Sequence, residues 1–175
     1  FSELIEVEGR SNDVFKQALE DIVQKINNYI TPNQTIIECT SDDKELLDEC
    51  RIPPTFGTDK YMQWSSEFEH KIAQISSDDI RRVLQPCWEF LQEYNKALLV
   101  YNDARLKEAL KILSEFILNV KKVQTYHSTD NFLLELYTDL EHKTSALEDI
   151  NPKLIKLQEI LKTFCRSKSL GELYL

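Results

Sequence analysis

Side chains able to do acid–base, nucleophilic or metal chemistry are scattered through this 175-residue sequence. Two acidic pairs stand out, Asp42–Asp43 and Asp78–Asp79. Paired carboxylates can divide general-acid and general-base roles when their surroundings push their pKa values apart. Each pair, however, directly follows a serine, Ser41 or Ser77. That is the arrangement of a helix start, where acids offset the positive end of the helix dipole. The histidines His70, His127 and His142 show no HExxH or comparable metal spacing. No two of Cys39, Cys50, Cys87 and Cys165 form a CxxC pair, so a zinc site is not expected. Cys165 has Arg166 and Lys168 nearby, which would favour a thiolate; the alternative is an incidental thiol. Neither GxxxxGK[ST] nor GxGxxG occurs, so no loop is built to cradle phosphates. The sequence therefore predicts a chain with no catalytic residue, no metal and no cofactor of its own.

The elements that would position these residues are helical. Apolar residues recur at helical spacing from Val14 to Ile30, predicting a first helix over 12–30. Ser11 or Asn12 would cap it, and Thr31–Pro32 would end it. Ser41 would cap a short second helix through Leu46 and Leu47, broken by Pro53–Pro54. After Gly57, a helix opening at Thr58 carries Tyr61, Trp64, Phe68 and Ile72 inward. Ser77 starts another, with an apolar face from Ile80 to Tyr101 and a kink or restart expected at Pro86. Further helices are predicted from Asn102 or Asp103, from Ser128 or Thr129, and from Asn151 with Pro152 at the first helical position. No stretch shows the alternation of a strand. The expected fold is all-α, an irregular bundle of about six or seven helices without an internal sheet.

Composition agrees. Hydrophobic residues make up 42% of the chain, enough for a packed core, and only 3 glycines are available for tight hairpins. The formal net charge of −9 excludes a protein that grips nucleic acid by bulk electrostatics, since such binding rests on cations neutralising phosphates. No leader and no apolar run of transmembrane length is visible. A reduced, cytoplasmic setting and no membrane partner are the default expectation. The chain begins at Phe1 rather than Met, so a piece of a larger protein is expected.

Four segments carry a resemblance. FGTDKYMQW, Phe56 to Trp64, is similar to an FGTxxYxQW block of RIG-I-like helicases. YNKALLVYNDARLKEAL, Tyr94 to Leu110, resembles that family's YNxAL…ARxxDAL stretch. NPKLIKLQEIL, Asn151 to Leu161, looks like its NPKL…IL, and VEGRSNDVFK, Val7 to Lys16, resembles its opening. The order is the same, and the segments span nearly the whole chain. Dicer helicases carry a related insert. The resemblance implies one helical insertion domain over residues 1–175, set within the second RecA-like domain. Its ends, about 1–8 and 168–175, would return to the parent helicase. It also implies a parent that is a cytoplasmic, ATP- and Mg-dependent sensor or processor of double-stranded RNA in antiviral innate immunity or RNA interference.

In that family the helix beginning at FGT presents polar side chains to the minor groove of duplex RNA. Here this maps to Lys60 and Gln63, with the Asp59 position also involved; an acid at Asp59 faces phosphate unfavourably. Spacing agrees independently. Lys60 and Gln63 are three apart near a helix start and share one face, and the helix N-terminus favours phosphate. Glutamine can both donate to and accept from a ribose 2′-hydroxyl, which the shallow minor groove of A-form RNA displays. The bland alternative is an ordinary wet helix face. Tyr61, Trp64 and Phe68 could stack on bases, or pack in the core as their spacing suggests. Arg81–Arg82 or Lys121–Lys122 would be a second basic patch, or a solvated face. A competing function is protein docking or autoinhibition. Relatives hold N-terminal caspase-recruitment domains against this insert, and the helix over 103–123 offers Leu113 and Phe116 as a docking face. Those two residues could equally be core.

Overall fold

The computed structural model describes residues 4–7, 13–30, 38–49, 53–123, 125–147 and 151–173. The expected caps Ser11 and Asn12, the expected stop at Thr31–Pro32, and Cys50 lie outside the described residues. Seven helices are described: α1 Val14–Ile30, α2 Ser41–Asp48, α3 Asp59–Gln74, α4 Asp78–Asp103, α5 Leu106–Lys121, α6 Ser128–Thr144 and α7 Pro152–Leu173. No strand occurs among the described residues. The all-α reading holds.

The 26-residue α4 organises the bundle. At 1.5 Å per residue it extends about 39 Å, and α1, α3, α5 and α6 all pack on it. Its C-terminal half enters a large core, where Phe90, Leu91, Tyr94 and Leu98 meet the buried faces of α1, α5 and α6. Its N-terminal half enters a smaller one, where Ile80, Leu84 and Trp88 meet Phe68 and Ile72 of α3, with Leu46 and Leu47 of α2 packed against them. Each fully buried side chain of this size contributes about 1.5–3 kcal/mol of transfer free energy. The helix runs without interruption through Pro86, so the expected restart does not occur. The proline leaves the Arg82 carbonyl without its helical donor, and the packing on both sides holds the helix together.

Several boundaries differ from the sequence expectation. Asp13 starts α1: its carboxylate accepts the Lys16 N–H at 3.1 Å and the Tyr101 hydroxyl at 2.8 Å. Thr40, not Ser41, caps α2. The helix expected from Asn102 or Asp103 begins at Leu106, because the apolar face of α4 carries that helix on through Asp103. The α5 start is closed by Glu108, which accepts the Arg105 N–H at 3.1 Å. Similarly, Asp130 accepts the His127 N–H at 2.9 Å one residue before the expected α6 cap, freeing Thr129 to bond Tyr29 Oη at 3.0 Å. Ser77 does cap α4. Its acidic first turn, Asp78 and Asp79, pairs with Arg81 and Arg82. That neutralises the arginine patch locally.

Candidate nucleic-acid interface

The segment that carries the candidate site begins with a turn. Gly57 has φ +81°, a left-handed conformation that costs a residue with a side chain 1–2 kcal/mol or so. A Cβ there would also sit 2.6 Å from Leu98 Cδ2 on α4. Thr58 then caps α3, its hydroxyl accepting the Tyr61 N–H at 3.2 Å. The helix start therefore falls where the sequence placed it.

The two faces of α3 divide cleanly. Tyr61, Ser65, Phe68 and Ile72 are buried. Phe56, Tyr61, Trp64 and Phe68 form a ladder of rings with centroids 5.0–5.3 Å apart. Burial pushes the Tyr61 phenol well above its usual range. Tyr61 and Phe68 are core, as their spacing suggested, and Trp64 is half-buried with its ring stacked on Phe68. The indole N–H of Trp88, on α4, donates to the Ser65 carbonyl at 2.7 Å and ties the middle of α3 down. On the opposite face Asp59, Lys60 and Gln63 are all exposed. Among the described residues no ion pair of Lys60 and no hydrogen bond of the Gln63 amide occurs, and both side chains face solvent. Glu67, one turn beyond Gln63 on the same side, is also exposed. The stripe is thus polar over its first two turns and acidic at both ends. It could accept one phosphate and one or two ribose contacts, and little more.

The expected docking face on the helix from 103 to 123 needs correcting. Leu113 is 1% exposed, packed in the large core, and cannot meet a partner. Phe116 is half-buried against Phe90, with ring centroids 4.9 Å apart. The exposed apolar residues near the end of α5 are instead Leu118, at 61%, and Val123. A groove of about 270 Å³ there is lined by Phe116, Val120, Val123 and Tyr126, with Glu89 and Asp130 at its polar side.

Two residues that the sequence did not single out as structural keys prove to be so. Asp43 is buried, and it accepts the Ser76 N–H and the Ser76 hydroxyl, each at 2.9 Å. Those bonds, the backbone one foremost, hold its carboxyl below the usual carboxylate range. It fastens α2 to the corner between α3 and α4. Asn95, on α4, is fully buried, and its side chain reaches the Gly57–Thr58 turn. The signal for Asn95 was present: Leu91, Asn95 and Leu98 fall at i, i+4 and i+7, which puts an amide on an otherwise apolar stripe. Elsewhere, burial pushes the Cys87 thiol up to about 12, so it is protonated at neutral pH. Among the described residues no three His, Cys, Asp or Glu side chains converge as metal ligands. No described helix is long and apolar enough to cross a membrane.

These features define a class: among the described residues, an all-α domain in which the helix start at Thr58 exposes polar side chains while the opposite face of that helix packs in the core. A family model described as the RIG-I receptor C-terminal domain matches residues 2–150. The chain belongs to that family. It is similar to the antiviral innate immune response receptor RIG-I of Sus scrofa, 32% identical over 120 residues, which cover 61% of this chain and 12% of the receptor. The receptor of the same name from Homo sapiens is 27% identical over 169 residues, 89% of this chain and 17% of the receptor. The chain thus spans less than a fifth of the length of these curated relatives.

Proposed function

We propose that this chain is a helical insertion domain that contacts double-stranded RNA within an RNA-dependent ATPase of the innate-immune sensor class, through Lys60 and Gln63. The observation that carries the reading is the exposure of these two side chains on the first two turns of α3, inside the FGTDKYMQW block, with the other face of that helix locked in the core. The contacts available are to phosphate and ribose, so the duplex is recognised by shape and not by base sequence. Asp59 lies beside them and tempers the attraction. ATP and Mg belong to the RecA-like domains of the parent, which would also supply most of the RNA affinity. The exposed apolar residues Leu4, Ile5 and Val7 at one end, and Leu157, Leu161 and Phe164 towards the other, support a return of both ends, about 1–8 and 168–175, into that parent. Of those end residues, 1–3, 8, 174 and 175 lie outside the described residues. The parent acts in the cytoplasm, where duplex RNA of viral origin would be met. The test is duplex-RNA affinity and RNA-stimulated ATPase of the full-length protein carrying Lys60→Ala and Gln63→Ala. Loss of both with the fold intact supports the reading, and unchanged values refute it.

A second role has its own observation, the exposed Leu118 and Val123 beside the Phe116 groove. A recruitment domain of the same protein could dock there when RNA is absent. Leu118→Asp with Val123→Asp would then raise RNA-independent activity, while leaving duplex affinity of the activated form unchanged.

A further inference from the structure

Asn95 sits in a place where an amide is costly. It is fully buried at an inward position of α4, among apolar neighbours, and a buried amide without partners would destabilise the fold. Its partners are neither on its own helix nor on a neighbouring side chain. Oδ1 accepts the Gly57 N–H at 2.6 Å, and Nδ2 points to the Thr58 carbonyl at 3.5 Å, a long contact. The orientation follows from the chemistry, because the Gly57 N–H can only donate and so must face the amide oxygen. The same Thr58 carbonyl accepts the Tyr61 and Met62 N–H groups of the first turn of α3. Asn95 therefore stands in for backbone and stitches the turn before α3 onto α4. Leu98, one turn further along, closes on Gly57 with no room for a side chain.

The two segments FGT and YN thus meet, although Gly57 and Asn95 are 38 residues apart in the chain. Lys60 lies two residues beyond Thr58, and Gln63 one turn later. A loosened turn would leave the buried middle of α3 in place, since Trp88 and the aromatic ladder hold it. It would let the first turn fray, and with it the two exposed side chains. We infer that Asn95 is a positioning residue for duplex-RNA contact: it never touches the ligand, and it fixes the Gly57–Thr58 turn so that Lys60 and Gln63 project together. This rests on the RNA reading proposed above.

The test uses the full-length protein and a short synthetic RNA duplex, with four variants: Asn95→Ala, Gly57→Ala, Lys60→Ala with Gln63→Ala, and that pair combined with Asn95→Ala. Asn95→Ala is expected to weaken duplex binding roughly tenfold, the scale of losing the charge-assisted Lys60–phosphate hydrogen bond that it positions. In the background lacking Lys60 and Gln63 it should cause no further loss, because it acts through them. Hydrogen exchange should show the Gly57 and first-turn α3 amides losing protection, while the amides around Phe68 keep theirs. Gly57→Ala disturbs the same turn by a different route and should reproduce the binding loss. It serves in place of Asn95→Ala if that variant fails to fold. An additive loss, or unchanged protection at Gly57, overturns the positioning role alone. A neutral Lys60→Ala with Gln63→Ala overturns the RNA reading, and the inference falls with it.

Discussion

Helices α3 and α7 start equally well and end differently. Thr58 caps α3 through the Tyr61 N–H. Asn151 caps α7, its Oδ1 accepting the Lys153 N–H at 3.0 Å. From there α3 buries one face along its whole length, whereas among the described residues α7 is tied down at its first turn. Its contacts there are the Asn151 amide to the Ala104 carbonyl, and Lys153 to Asp103 at 3.1 Å. Beyond that turn Leu157, Ile160, Leu161 and Phe164 face outward, Phe164 at 64% exposure. The family match stops at residue 150, just before this helix. A good cap and apolar spacing make a helix, but only a partner surface makes it part of a core, because most helical stability comes from packing an amphipathic face.

The contrast is broken most directly by truncation on each helix. Tyr61→Ala should destabilise the domain by about 3–5 kcal/mol, the cost of emptying a buried aromatic site. Phe164→Ala should stay within about 0.5 kcal/mol. Urea unfolding of both variants checks this, and comparable losses would mean that α7 packs on the bundle after all.

Next in size is the fastener of the α3–α4 corner. Asp43→Asn should cost about 1–3 kcal/mol, since an amide cannot accept both Ser76 bonds as a carboxylate does. The folded-state pKa of Asp43 is depressed, so its contribution is complete above the usual carboxylate range. It is lost as pH falls through the depressed folded value. Stability measured from neutral to acid pH should therefore converge for the wild-type chain and Asp43→Asn at the acid end. A constant gap between them would contradict the assignment.

A smaller effect is expected at the polar face of α3. Lys60→Ala should reduce the salt dependence of duplex binding by the parent, lowering the log–log slope by about 1, as for one phosphate contact. Gln63→Ala should weaken binding without changing that slope. Losses should be the same across RNA sequences. The isolated chain, at net charge −9, should bind duplex only weakly, as filter binding would show.

The smallest effects are at the caps. Thr58→Ala should cost about 1 kcal/mol and appear in global unfolding. Asn151→Ala should cost a similar amount locally, yet appear mainly as faster amide exchange along α7. A shift in the global midpoint as large as that of Thr58→Ala would erase the distinction between the two helices.

Much of this was legible in the residues alone. Helix type, helix number, the Thr58, Ser77 and Asn151 caps and the inward aromatic stripe are all relations between residues three or four apart, which the sequence displays directly. Local spacing also placed Lys60 and Gln63 on one side of one helix. What spacing cannot display is which surface each face meets. Asp43 read as a dipole partner and proved to bind Ser76, 33 residues away. Leu113 read as a candidate docking residue and is buried, and the apolar stripe of α7 looked like those of α1 and α5 and is exposed. Asn95 was a polar residue on an apolar stripe until the packing of α3 on α4 supplied its partner at Gly57. Those outcomes depend on how whole helices stack, and stacking is decided by the combined shape of many side chains far apart in the chain.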